Sequence, residues 1–550
     1  MTDTGFGASN APNDASPTRQ VTASGQPQRT LAHVLKKTCR VNADRIAVVQ
    51  GDRRLRYAEL EEQAGGIATW LHGQGLTAGA RVGILSRNCL EFVIADVAIQ
   101  LGAFTRVGLS PRLSLDEVAG ICNDAAIAAL FVDESWAESA TEITKRTASS
   151  PLVISFGTGA AGAVPLAGPP AATAGAALPE ASENSAAMLA YTSGTTGKPK
   201  GAVISQRAAF NMCRHTALAM PDVGAGEPVV HTAPLAHFAF TIAMASLAHG
   251  GTQHVMANFD AAALLDLVET ERIAVIPMVP TQVKMVVDEQ LRRSRDVSSV
   301  RCIPYSAAPI AAGQLRTAIE VFGQVFVQLY AQSEVLPPVT VLSKDDHRAA
   351  LAGGDERLLI SAGRPLPYVD VKVVDADGNE VAAGELGEIL CRSETMMDGY
   401  WQDPAETARA FAHHGWLATG DVGHLSRDGY LTIVDRRKSL IITGGYNVYP
   451  AEVERVVQQL PWVAEVVVIG IPDERWGEAI TAVVVVDQTV VADGNDALSA
   501  QLIEHCRAHM AGYRVPKHVK YSGPLPRNGA GKLLTRLVRE PYWSTRTRRV

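Results

Sequence analysis

An α/β fold, a large layered α/β region followed by a small α+β unit, is predicted from three observations. From Leu31 onward, short apolar runs such as Arg81–Leu85 and Ala128–Val132 alternate with stretches of helical periodicity such as Tyr57–His72. That is the texture of strands layered between helices. Beyond about residue 365 the texture changes, and Asp377-Gly378 and Asp428-Gly429 sit between alternating apolar runs as hairpin turns. The chain then closes on Pro450–Leu460, Val463–Ile469, Ile480–Val486 and Ala497–Met510, with the charged stretch Asp435–Ser439 marking the boundary.

Bulk properties narrow the function classes. The 550 residues allow about three or four domains. A net charge of −7 argues against a nucleic-acid binder driven by phosphate neutralisation. The seven cysteines form no CxxC pair and their number is odd, which fits a reducing cytoplasm better than a disulfide framework or a zinc site. No apolar run approaches ~18 residues, so no membrane span is expected. Residues 1–28 are rich in Ser, Thr, Asn, Pro and Gly, lack a secretory apolar core and read as a disordered tail.

The stretch Tyr191–Ser205, YTSGTTGKPKGAVIS, follows the apolar run Ala186–Ala190, a buried strand. Between Ser193 and Lys200 stand three hydroxyls (Ser193, Thr195, Thr196), Gly194, Gly197, Lys198 and Lys200. Glycines let successive N–H groups face one concavity, and hydroxyls and lysines complete a surface for a polyphosphate. Turn chemistry alone favours the same residue types, but seldom at this density. The loop is not a Walker A loop: Thr192 stands where the first Gly is required and Pro199 follows Lys198.

Downstream, Gln206–Met220 is a helix capped by Ser205, and Ala261–Glu271 a helix capped by Asp260 leading into a strand at Ile273–Met278. Arg301–Tyr305 and Gln324–Leu329 are strands flanking the helix Ala311–Phe322. The first ends in the loop Ser306–Pro309 and the second in the loop Tyr330–Glu334, where α/β sheets bind ligands. Gly157-Thr-Gly-Ala-Ala-Gly162 matches a dinucleotide fingerprint, yet Pro165, Pro169 and Pro170 forbid the helix it requires.

Four side chains carry candidate chemistry. Glu334, beside the Ser333 hydroxyl, is suited to holding Mg2+ on a triphosphate. Asp421, in the Gly-flanked turn ATGDVG, is either an Asx-turn residue or a carboxylate accepting two ribose hydroxyls. Arg436 offers a donor to the same ribose or its phosphate, against the reading of DRRK as a solvated basic run. Lys532, in the Gly-rich LPRNGAGK, matters only if its loop folds over a site. His237 lies in an apolar stretch, where a hydrogen-bonded core histidine is the commoner outcome, and no Ser/His/Asp set supports hydrolase chemistry.

In order, YTSGTTGKPKG, YAQSE, ATGD, DRRKSLIITGGYNVYPAEVE and LPRNGAGK resemble the adenylate-forming superfamily of acyl-CoA synthetases, adenylation domains and luciferases. The resemblance covers about residues 30 to 540. It implies an N-terminal AMP-binding domain at 29–435, a hinge at 436–439 and a mobile C-terminal domain at 440–550. It implies a carboxylate attacking the α-phosphate of ATP, giving acyl-AMP and pyrophosphate, and then a thiol displacing AMP, with ATP, Mg2+ and coenzyme A as cofactors. Lys532, Glu334, His237 and Thr192 correspond to the catalytic set, with Glu334 on the metal. Ser193–Lys198 and Lys200 correspond to the β- and γ-phosphate site. Ser306, Ala307, Ala308, Pro309 and Tyr330 correspond to the adenine site, and Ala331, Gln332, Ser333 and Ile433 to further cofactor-binding positions. Asp421 and Arg436 correspond to the ribose site, Lys438 to the hinge, and Gly444 and Gly445 to the passage for pantetheine. Two departures from the usual YGxTE stand in YAQSE: Ala331 replaces Gly, and Ser333 replaces Thr while keeping the hydroxyl.

The expected partners are a small-molecule carboxylic acid, ATP and CoA, with a homodimer as candidate assembly. A separate carrier-protein thiol is the alternative acceptor; no carrier segment follows Lys532. Acid-pocket segments are His237–Thr241, Met278–Thr281 and Gln328–Pro338, mostly apolar and without an Arg for a second carboxylate. A medium-chain or aromatic monocarboxylate is the expected acid. A nicotinamide-dependent oxidoreductase fails on the prolines after Gly162.

Overall fold

The computed structural model describes residues 29–157, 162–166, 178–192, 199–308, 310–353, 355–436, 440–444, 446–487, 495–527 and 533–543. The expected tail 1–28 lies outside them.

Buried apolar strands, with the exposed Val164–Pro165 at one edge, organise the large domain. Ala186–Thr192, Thr105–Leu109, Arg81–Leu85, Ala129–Val132, Leu152–Ser155 and Val164–Pro165 lie side by side in that order, all parallel. Lys200–Ser205 and Gly399–Tyr400 extend the sheet antiparallel past Ala186–Thr192. A parallel sheet must be covered on both faces. The helix Leu90–Leu101, which buries every residue but Glu91, is part of that cover. The Gly157–Gly162 segment leads into the strand Val164–Pro165, paired with Ile154–Ser155, rather than into a helix. A dinucleotide fold is thereby excluded there.

Two further sheets, Val229–His231/Gln253–Val255/Ile46–Gln50/Arg53–Arg56 and Ile303–Tyr305/Phe326–Gln332/Val335–Leu342/Arg364–Pro365, meet through residues 275–278. The expected strand Ile273–Met278 is buried but carries only isolated bridges, from Val275 to Val229 and Cys302 and from Met278 to Tyr305. Pro277 interrupts it by removing a ladder donor. The capping expectations hold: Asp260 Oδ1 accepts from Ala263 N at 2.8 Å, and Ser205 Oγ accepts from Ala208 N at 3.4 Å.

The fourth sheet, Val369–Val374/Gly387–Ser393/Leu417–Leu425/Leu431–Arg436, is fully antiparallel. Asp428-Gly429 turns its last hairpin with Gly429 at φ +78°, a conformation that suits glycine. The small C-terminal unit has its own sheet, Tyr446–Val448/Ile441–Thr443/Gly477–Val486/Val463–Asp473, with His518–Tyr521 added parallel to Gly477–Val486. Its helices Pro450–Val457 and Asn495–His509 close over a separate core that includes Val453, Trp462, Ile480 and Leu502.

Candidate active site

The phosphate-loop motif is the connection of an antiparallel hairpin whose stem pairs Thr192 with Lys200. Ser193, Gly194, Thr195, Thr196, Gly197 and Lys198, and the side chain of Thr192, lie outside the described residues. Lys200 is described, and it is engaged: its ammonium pairs with the Glu406 carboxylate on the helix Pro404–Ala410 and lies 5.5 Å from the Tyr400 ring centre.

Ser306, Ala307 and Ala308 follow the strand Ile303–Tyr305. Ser306 Oγ donates to the Leu329 carbonyl at 2.8 Å, tying this segment to the neighbouring strand. Ala307 sits at φ +74°, a left-handed conformation costing an alanine roughly 1 kcal/mol. Pro309 lies outside the described residues.

Tyr330, Ala331 and Gln332 are not in a loop. The strand Phe326–Gln332 runs through them and pairs antiparallel with Val335–Leu342, because only Ser333 and Glu334 are needed to turn the chain. The register slips between Tyr330 and Gln332, a bulge that re-aims side chains. Ala331 is not among the described residues with positive φ, so its methyl group meets no backbone penalty there.

Asp421 likewise occupies the middle of a strand, Leu417–Leu425, where the Gly-flanked motif suggested a turn. Register pairing with the strand Leu431–Arg436 places it opposite Arg436 and fixes its direction. Its buried carboxylate accepts on Oδ2 from the Tyr330 hydroxyl at 2.7 Å and from Gln332 Nε2 at 2.6 Å. Gln332 also donates to the Thr419 carbonyl at 2.9 Å, and the Asp421 N–H donates to Thr419 Oγ1 at 3.1 Å. Burial first, and the Asp421 charge second, push the Tyr330 phenol well above its ordinary range, so it remains a donor at neutral pH.

Glu334 is oriented from a third element. Its Oε1 accepts from the Tyr400 hydroxyl at 2.8 Å, while its carbonyl accepts from Met397 N at 2.8 Å. His237 is the N-cap of the buried helix Phe238–Ala248. Burial, then the Arg106 charge, lowers its imidazole to about 4, so it is neutral at pH 7. Arg106 donates to buried Asp96 at 2.5 Å and to the Leu235 carbonyl at 2.9 Å, and its guanidinium lies 4.0 Å from the Phe240 ring centre.

Ile433 is half-buried and packs on the large core. Gly444 sits at φ +57° and donates from its N–H to the Trp476 carbonyl at 2.8 Å. A side chain there would bring its Cβ to 2.9 Å from the Trp476 ring, so the position holds glycine for space as well as for φ. Lys438, Gly445, Lys532 and the Arg436 side chain lie outside the described residues.

A buried carboxylate held in mid-strand by Tyr330 and Gln332, and a second carboxylate, Glu334, oriented by Tyr400 in a strand-connecting turn, make a site of fixed acceptors. Residues 35–401 match the family model of the AMP-binding enzyme, and 452–532 match that of the AMP-binding enzyme C-terminal domain. The chain belongs to the AMP-binding enzyme family. This AMP-binding enzyme is 33% identical over 521 residues to a medium/long-chain-fatty-acid–CoA ligase, FadD8, of Mycobacterium tuberculosis, covering 93% of this chain and 90% of the relative. It is 33% identical over 513 residues to a feruloyl-CoA synthase of an Amycolatopsis species, covering 92% and 98%. Among solved structures it superposes on the amide bond synthetase McbA of Marinactinospora thermotolerans with TM-score 0.83 and 30% identity, covering 93% and 99%.

Sequence reasoning missed Tyr400, Thr419 and Glu406 in this AMP-binding enzyme. Asp403-Pro404 does signal the helix start that carries Glu406, since Asp403 Oδ1 accepts from Glu406 N at 3.0 Å. No local signal marks Tyr400 as a partner of Glu334, which lies 66 positions away.

Proposed function

We propose that this enzyme is an ATP-dependent carboxylic acid–CoA ligase acting on a medium-chain or aromatic monocarboxylate. It forms acyl-AMP and pyrophosphate, then acyl-CoA and AMP. The observation that carries the nucleotide reading is the buried Asp421 carboxylate, held by Tyr330 and Gln332 and aimed from a strand fixed on both sides. Fatty-acid and feruloyl substrates in the relatives' names support an apolar or aromatic acid. So do the buried apolar residues Ala239, Phe240, Met278, Val335 and Leu336 in the pocket segments.

Asp421 takes the ribose hydroxyls, and Ser306–Pro309 with Tyr330 frame adenine. Glu334 fits Mg2+, which takes few protein ligands beside phosphate oxygens, and the Tyr400 hydroxyl leaves Glu334 acceptor capacity for it. Bound there, Mg2+ supplies neutralisation of phosphate charge. A substrate carboxylate is ionised at neutral pH and needs no general base. Its obstacle is approach to a polyanion, and Lys532 answers that by bridging the carboxylate and the α-phosphate. Neutral His237 acts by packing and hydrogen bonding beside the acid, without carrying charge. The domains divide at 29–435 and 440–550, with Lys438 in the hinge and Gly444 and Gly445 beside the thiol's path. Seven free cysteines, six of them fully buried, fit a cytoplasmic enzyme.

Incubating a panel of acids with ATP, Mg2+ and CoA tests the reading, with AMP release and acyl-CoA mass as readouts. Acyl-CoA from medium-chain or aromatic monocarboxylates is expected. Preferential turnover of a short dicarboxylate overturns the substrate. AMP release that needs a carrier protein or an amine in place of CoA overturns the acceptor.

A further inference from the structure

The segment 396–407 touches both halves of the ATP site, although no site motif includes it. Its backbone is clamped to the stem of the phosphate hairpin: Asp398 N donates to the Val203 carbonyl at 2.8 Å and Trp401 N to the Gly201 carbonyl at 2.7 Å. Tyr400 pairs with Ala202 in the sheet. The same segment reaches the YAQSE turn, through Met397 N to the Glu334 carbonyl and through a bridge from Met396 to Val335. Its own turn is closed internally, since Tyr400 N donates to Thr407 Oγ1 at 2.8 Å and Thr407 Oγ1 donates to the Asp403 carbonyl at 2.8 Å.

Two side chains from this frame act on site residues. The Tyr400 hydroxyl fixes Glu334 Oε1, and the ring of the same tyrosine lies under the Lys200 ammonium. Glu406 holds that ammonium in an ion pair whose side chains are 16% and 22% exposed, and it also takes Arg409. An ammonium so placed is neutralised and packed, and a phosphate would have to take it from a carboxylate in a semi-buried setting. That is costly, since the Glu406 carboxylate would lose its semi-buried partner and keep only the exposed Arg409.

We propose that Tyr400 and Glu406 are positioning residues for MgATP, Tyr400 by orienting the Glu334 carboxylate and Glu406 by locking Lys200 as a strut of the hairpin stem. Lys200 then shapes the phosphate loop without contacting phosphate. The proposal rests on the reading of Glu334 as the Mg2+ carboxylate.

Acid-dependent pyrophosphate exchange is measured against free Mg2+ and against ATP. Conversion of preformed acyl-AMP and CoA to thioester is the second readout, which positioning of MgATP does not touch. Tyr400→Phe is expected to raise the half-saturating Mg2+ concentration roughly tenfold, the worth of one hydrogen bond to a charged acceptor, and to leave the thioester half-reaction within about twofold. An unshifted Mg2+ dependence, or equal loss of both half-reactions, overturns the role of Tyr400. Glu334→Gln separates the two failures: if it too leaves Mg2+ dependence unshifted, the metal reading falls; if it shifts while Tyr400→Phe does not, only the positioning role falls. Lys200→Met and Glu406→Gln are each expected to raise the KM for ATP, and the double variant to be no worse than the worse single. A lowered KM for ATP in Glu406→Gln, or a double variant showing the product of the single effects, overturns the strut and returns Lys200 to the phosphates.

Discussion

The Tyr330 hydroxyl donates to Asp421 Oδ2 across 2.7 Å, although 91 positions separate the two in the chain. The bond joins the bulged end of one sheet to the middle of a strand in another. It sets the direction of the carboxylate before any nucleotide arrives, so its loss should be felt in nucleotide binding.

Tyr330→Phe should raise the KM for ATP roughly tenfold, since a hydrogen bond to a charged group is worth about 1.5 kcal/mol. Acid-dependent pyrophosphate exchange measures it. An unchanged KM for ATP would detach Tyr330 and Asp421 from the nucleotide.

Lys532→Ala should abolish adenylate formation while sparing conversion of preformed acyl-AMP and CoA to thioester. Lys532 is assigned to the first step alone. An equal fall in both half-reactions of a folded variant would defeat that assignment.

Lys438→Pro should slow the thioester half-reaction more than adenylation, because a fixed φ and a restricted preceding residue stiffen the proposed hinge. Stopped-flow or quenched measurement of each half-reaction decides it. A wild-type thioester rate would remove the hinge from this position.

Glu454, on the helix Pro450–Val457, accepts from Val468 N at 2.8 Å, and burial raises its carboxyl from 4.5 to about 7, with the Asp435 charge adding to the rise. Between those values the folded chain keeps a proton that the unfolded chain has released. Stability from this group is therefore present below pH 4.5 and is lost as pH rises through about 7. Glu454→Gln keeps an acceptor for Val468 and removes the titration. Its melting temperature relative to wild type should be more favourable at pH 8 than at pH 5; an equal difference at both would show that Glu454 does not titrate in that window.

Arg106→Leu should destabilise the enzyme by about 3 kcal/mol, because Asp96 is left buried and unpaired. The double variant with Asp96→Leu should recover most of the loss, as read by thermal or denaturant unfolding. A double variant no more stable than Arg106→Leu would mean that the Leu235 and Phe240 contacts of Arg106, not its charge balance, carry its contribution.

What the sequence by itself determined is local: which stretches are strands and helices, where Asp260 and Ser205 cap, and where Asp428-Gly429 turns. Such features depend on residues a few positions apart, so periodicity and cap chemistry report them. The order of five motifs added the family, which the AMP-binding enzyme models match. Only the tertiary structure decided that Asp421 and Tyr330–Gln332 lie in strands, since pairing with distant partners overrides the local turn preference of Gly-flanked or polar residues. It alone gave Glu334 to Tyr400 and Lys200 to Glu406, and it dissolved the expected strand at Ile273–Met278 into isolated bridges. The physical reason is the same for both side-chain pairings: a hydrogen bond or ion pair between residues 66 and 206 positions apart is specified by sheet register and packing, and neither leaves a mark on the residues next to it in the chain.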